Sequence, residues 1–151
     1  MTWSSGEAKE LRVRLGVLGG LNMQKTDVEL AGNLDLFTLA PRLKVFAELS
    51  IGLRPLEASF IPAAGVRYAL SIPSSPKLHP WFSGQAGLAV TVMRGGVALA
   101  VPMSLGLGAL YDLNPKLAIG LDLGVSVGPL LAPFSDLYAS AHGGVCGSWS
   151  L

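Results

Sequence analysis

Ser140 and His142 stand two residues apart, so an extended segment puts them on one face, and a chain reversal centred near Ala132 sets Asp122 opposite the histidine. Serine, histidine and carboxylate on one face are the parts of an acyl-transfer triad. A second pattern involves the other titratable residues. Arg12, Arg14, Glu29, Asp35, Arg42, Lys44, Glu48 and Arg67 recur on one parity of apolar stretches, where burying a charge is costly unless it is paired. Such charges either hold a fold together or line a path for ions or protons. The choice depends on what the apolar stretches do with their two faces.

Residues 116–128, KLAIGLDLGVSVG, display those faces most plainly. Leu117, Ile119, Leu121, Leu123, Val125 and Val127 alternate with Ala118, Gly120, Asp122, Gly124, Ser126 and Gly128. A period of two is a strand. A soluble half-buried strand would carry Lys, Glu and Thr on its wet face, whereas this one carries small residues and a single carboxylate. Small residues suit a crowded interior, so the large face is expected to point outward into lipid and the small face to line a narrow closed barrel.

The same design recurs along the chain. Leu11, Val13, Leu15 and Val17 alternate with Arg12, Arg14, Gly16 and Leu18; Val28, Leu30, Leu34 and Leu36 face away from Asp27, Glu29, Ala31, Asn33 and Asp35. A third strand sets Leu43, Val45, Ala47, Leu49, Ile51 and Leu53 against Arg42, Lys44, Phe46, Glu48, Ser50 and Gly52. Further strands are expected over 60–72, 81–93, 97–108 and 137–151, with the longest connection at 129–136. The reading is all-β: an eight-stranded antiparallel up-and-down transmembrane barrel with short turns, in which 1–9 is a flexible N-terminal segment and 10–151 a single barrel domain.

Composition agrees. Half of the 151 residues are hydrophobic and 14% are charged, against about a quarter charged in ordinary soluble domains; mean hydropathy is +0.50. The longest uncharged run, 95–111, contains Pro102 and several glycines and makes a poor transmembrane helix. Without helices, a closed barrel is what satisfies every backbone group in lipid. Net charge is +1 with no block of like charges, which gives no footprint for nucleic acid. Cys146 is alone, so neither a disulfide framework nor a cysteine metal site is expected, and no cofactor is implied. MTWSSGEAKE has no basic segment followed by an apolar core, so no secretory signal is present in this sequence and an exported form is expected to have lost one.

VRYALSIPSSPKLHPWFSGQAGLAV (66–90) and ALYDLNPKLAIGLDLGVSV (109–127) resemble the OmpA-like eight-stranded β-barrel domain of bacterial outer-membrane proteins. In that family a strand, a short turn with proline and a basic residue, and a Gly-rich strand recur at the periplasmic end. The resemblance implies a bacterial outer-membrane location with both termini periplasmic. It also implies a lipid bilayer around the barrel and delivery by the barrel-assembly machinery, for which Trp149-Ser150-Leu151 resembles the terminal signal. Outer loops in the family are usually long and those here are short, which argues against a receptor or adhesion role.

On this reading Phe60, Tyr68, Phe82, Tyr111 and Trp149 lie on the lipid face as interface aromatics. Inside, turns centred between Gln24 and Lys25, near Ala40, at or just beyond Glu57 and near Ala132 would pair Arg14 with Asp35, Asp35 with Lys44, Glu48 with Arg67 and Asp122 with His142. Arg12, Glu29 and Arg42 join them in a ladder that plugs the lumen. The expected role is structural or accessory. Alternatives are a soluble lipocalin-like barrel with Leu and Val around a hydrophobic ligand, a small ion-conducting barrel, and a lipid-acting enzyme using Ser140 and His142. His79, beside Pro80, is expected in a turn, and Cys146 as an inert filler.

Overall fold

The computed structural model describes residues 9–20, 25–133 and 136–151. Residues 1–8 of the expected N-terminal segment and the first half of the expected first turn lie outside them, while Lys25 and Thr26, expected in that turn, belong to a strand. Ten strands follow in chain order: β1 (Glu10–Gly20), β2 (Lys25–Ala40), β3 (Leu43–Arg54), β4 (Glu57–Ala69), β5 (Leu78–Gly87), β6 (Ala89–Met93), β7 (Gly96–Ala100), β8 (Met103–Asn114), β9 (Leu117–Ala132) and β10 (Asp136–Ser150). Every pairing is antiparallel, and β10 pairs with both β9 and β1, so the sheet closes on itself.

Ten strands make eight staves. β5 and β6 continue one another against β4 without a change of register, as do β8 and β7 against them. The interruptions at Leu88 and at Val101-Pro102 face each other: Gly87 N donates to Pro102 O and Leu88 N to Pro62 O, each at 3.0 Å. The three carbonyls of Pro62, Pro102 and Pro129 accept across this region, where the prolines themselves cannot donate.

The faces are as the alternation requires. Leu105 is 70% exposed and Leu121 63%, whereas Glu29 is 1% and Arg14 4% exposed. Large aliphatics therefore point out of the barrel and charges point in, which removes the lipocalin-like alternative. β2 carries bulges at Asp35/Phe37 and Thr38/Ala40, so Leu36 and Phe37 both face outward.

Several connections differ from expectation. Residues 129–132 belong to β9, so the longest connection is 70–77 between β4 and β5. Arg42 is not on a strand; it occupies the turn Pro41-Arg42 at φ 70° and is exposed. Pro55-Leu56 forms the next turn of the same kind, with Leu56 at φ 66°. Proline first and positive φ second is the type II pattern. His79 lies within β5 rather than in a turn.

At the seam, Gly16 stands opposite Gly144, and a Cβ on either would run into the other strand's backbone. Gly16→Val is expected to destabilise the barrel by about 1–3 kcal/mol, the usual cost of overpacking, read as a lower urea midpoint and poorer refolding into micelles. A midpoint equal to that of the unsubstituted chain would show that the seam tolerates a wider spacing.

Candidate functional site: the charge layer inside the barrel

Inward parity and register bring four strands' charges to one level. Arg14 on β1 extends into the lumen, where Nη2 donates to Glu29 Oε1 of β2 at 2.5 Å and Nη1 to Asp122 Oδ2 of β9 at 2.8 Å. Glu48 Oε1 of β3 is 3.5 Å from Nη2. One guanidinium thus answers three carboxylates. Two of the acids have further support: Ser50 Oγ donates to Glu29 at 2.5 Å, and Asn33 Nδ2 and Gln85 Nε2 each donate to Glu48 at 3.2 Å. Charge-assisted bonds of this kind are what make buried ionised groups tolerable.

The contacts continue toward the chain termini. Arg67 of β4, 3% exposed, donates to Asn33 Oδ1 at 2.8 Å and to Asp35 Oδ1 at 3.0 Å. Lys44 Nζ takes the other Asp35 oxygen at 3.0 Å. The Arg67 guanidinium lies 4.4 Å from the Phe46 ring centroid and 5.4 Å from that of Trp81, with Arg12 5.5 Å from the same indole. Arg12 Nε donates to Glu10 at 2.6 Å, and Ser148 Oγ also bonds that carboxylate. Glycines opposite make room: a Cβ at Gly108 would strike Trp81, and one at Gly124 would strike His142.

Two of the expected pairs are present and two are replaced. Asp35 meets Lys44 as expected. His142 Nε2 is 3.6 Å from Asp122 Oδ1, a diagonal contact, because Asp122 stands opposite Gly144 and His142 opposite Gly124. Arg14 does not meet Asp35: the β1–β2 register puts Ala31 opposite Arg14, so Glu29 is the acid in reach. Glu48 does not meet Arg67. The two-residue turn Pro55-Leu56 puts Ala63 opposite Glu48 and Lys44 opposite Arg67, and Asn33 bridges the two charges instead. Arg42 stands outside the layer, on the rim.

Several members were not singled out from the sequence. Ser50, Asn33, Gln85 and Trp81 all sit on inward parity, and that parity was the available signal. Glu10 and Arg54 lie at strand ends, where parity says little. Arg54 Nε is 3.5 Å from Asp27 Oδ1, and Arg54 also pairs with Glu57.

Three spaces lie along the lumen. The one at the level of the layer is about 10 Å³, bounded by Arg14, Phe46, Trp81 and His142 among others, at the lower limit for one water molecule. Beyond it, at the Pro55-Leu56 end, lies a cavity of about 360 Å³ bordered by Asp27, Arg54, Ser59, Thr91, Tyr138 and Ser140. At the terminal end lies another of about 240 Å³. Ser140 borders the first cavity whereas His142 borders the central gap with its Nε2 turned to Asp122. Serine and histidine therefore open into different spaces, which is not the arrangement of a triad. Among the described residues no group of three His, Cys, Asp or Glu could hold a metal. Cys146 is buried and unbridged.

Outside, Phe60, Phe82, Tyr111 and Trp149 are exposed, and Tyr68 packs on Phe82 with centroids 5.3 Å apart. Tyr68, Phe82, Tyr111 and Trp149 lie toward the strand ends nearest the termini and Phe60 toward the opposite end. His79 Nε2 is 2.6 Å from Asp112 Oδ2 at the terminal mouth.

Fold and lumen together define a small transmembrane-type β-barrel: a closed antiparallel ring with aliphatics outside and a packed ionic interior. No protein-family model matches the chain, and no curated protein matches it in sequence. Solved structures match it in fold. Neisserial surface protein A (NspA) is similar with a TM-score of 0.74 and 7% identity, over 95% of this chain and 96% of that one. The N-terminal β-barrel domain of Pseudomonas aeruginosa OprF is similar with a TM-score of 0.65 and 13% identity, over 94% and 97%. A de novo designed transmembrane β-barrel follows at 0.52 and 19%, over 97% and 98%.

Removing Arg14 leaves Glu29, Glu48 and Asp122 without their shared cation. Arg14→Met is expected to cost about 3–5 kcal/mol, as for other broken buried ion pairs, and adding Glu29→Gln should restore part of it. Urea unfolding in micelles checks this; strictly additive losses would mean that the two residues do not interact.

Proposed function

We infer that this chain is an integral β-barrel of the bacterial outer membrane, termini toward the periplasm, with a lumen closed by its own ionic layer and a structural or accessory role. The closed layer carries this reading: a guanidinium held by three carboxylates fills the lumen to within one water molecule's space. Support for the setting comes from the exposed Leu and Val around the ring and from the fold shared with a designed transmembrane β-barrel. Bilayer lipid is then the direct partner. The aromatics near the terminal ends serve as interface anchors, and the assembly machinery is the expected route of insertion.

A non-catalytic role fits the separation of Ser140 from His142. Short connections at both ends leave little surface for a specific protein ligand.

Two measurements test the reading. The protein should need detergent or lipid to stay monodisperse and should shift in electrophoretic mobility on boiling. In planar bilayers the unsubstituted barrel should pass no resolvable current, whereas trimming the layer in Glu48→Ala should open measurable conductance. A detergent-free monomer would overturn the membrane setting, and steady conductance of the unsubstituted chain would overturn the closed lumen.

A further inference from the structure

The cavity at the terminal mouth, about 240 Å³, is bordered by five cationic side chains, Arg12, Arg42, Lys44, Arg67 and Lys116, and by two carboxylates, Glu10 and Asp112. Both carboxylates are already engaged, Glu10 by Arg12 and Ser148, Asp112 by His79. Asp35 answers Lys44 and Arg67 from within. Arg42 and Lys116, both exposed on the rim, have no ion-pair partner among the described residues. Deeper in, Arg12 and Arg67 flank one indole, and Arg12 Nη1 and Arg67 Nε have no hydrogen-bond acceptor. Two buried like charges with orphaned donors, beneath an unpaired cationic rim, concentrate positive potential in a blind space with low-dielectric walls.

We propose that this mouth is a binding site for a phosphate-bearing anion. Several oxygens and more than one negative charge match both the excess of cations and the mixture of forked guanidiniums and point-like ammonium groups. The volume lies just below the range of roughly 300–1,000 Å³ usual for drug-sized ligands and suits a headgroup-sized one. A phospholipid headgroup and a soluble phosphate compound share this chemistry.

The test is calorimetric titration of inorganic pyrophosphate into the full chain in a maltoside detergent, at fixed ionic strength. Saturable one-to-one binding is expected. The double variant Arg42→Gln/Lys116→Gln removes only unpaired rim charges, so folding is unaffected. It should weaken binding about tenfold or more, the loss expected for one charge-assisted hydrogen bond. Lys77→Gln, exposed and outside the cavity, should leave it unchanged. Absence of saturable binding, undiminished binding in the double variant, or an equal loss in Lys77→Gln would each overturn the proposal. Displacement of pyrophosphate by lysophosphatidic acid added to the micelles would identify a lipid headgroup as the ligand, and failure to displace it a soluble phosphate compound.

Discussion

Ring closure is the constraint on which the rest of this molecule depends. In hydrocarbon an unpaired backbone amide has no water to turn to, so a sheet that crosses lipid must have no edge. Here β10 joins β1 over Glu10–Gly20, every residue of β1 having a partner. Closing eight staves fixes a narrow lumen, and that narrowness explains the sequence better than any local propensity does. Small residues recur on the inward parity because the few large ones there need their room. Gly16 faces Gly144 at the seam because the two backbones approach too closely for a Cβ on either side.

A narrow lumen also dictates what its charges can do. An ionised side chain there loses most of its hydration, so it persists only with partners on several sides. Isolated ladder pairs would give each carboxylate a single cation and no more. The structure instead shares cations: Arg14 serves three acids, and Arg67 and Lys44 divide the two oxygens of Asp35. Neutral Asn33 joins the two clusters, accepting from Arg67 and donating to Glu48, which an acid or a base in its place could not do.

The barrel, the direction of its faces and most of the lumen's membership were legible because they depend on parity alone, and parity survives errors in turn placement. Glu29, Asp35, Glu48, Arg67 and Asp122 could be assigned inward without knowing any register. Their partners could not. Pairing depends on where each hairpin reverses, and Pro55-Leu56 turns more tightly than a reversal at Glu57 would, which moves Ala63 to the place expected for Arg67. Arg42 was misplaced for a related reason: a non-glycine residue at positive φ carries no sequence signal beyond the proline before it. Bulges in β2 were equally silent, since Leu36 and Phe37 satisfy either parity. Trp81 sits on inward parity, but parity alone does not tell that its indole receives both Arg12 and Arg67.

Side-chain volume, and not charge alone, decides where the lumen is narrow. Toward the Pro55-Leu56 end small residues, Ser59, Ala89, Thr91, Ala98, Ala100 and Ser140, share the inward side with Leu18 and Tyr138, and the bore stays open although Asp27 and Arg54 are present. At the middle Phe46, Trp81 and His142 enter from three staves, and the guanidiniums of Arg12 and Arg67 lie against the Phe46 and Trp81 rings. Rings supply flat walls that exclude water, and water exclusion strengthens the ionic contacts beside them. The same charges set among alanines would be hydrated and loosely held. The aromatic residues and the ion pairs thus form one device: the rings make the layer dry, and the shared cations make dryness tolerable for the carboxylates.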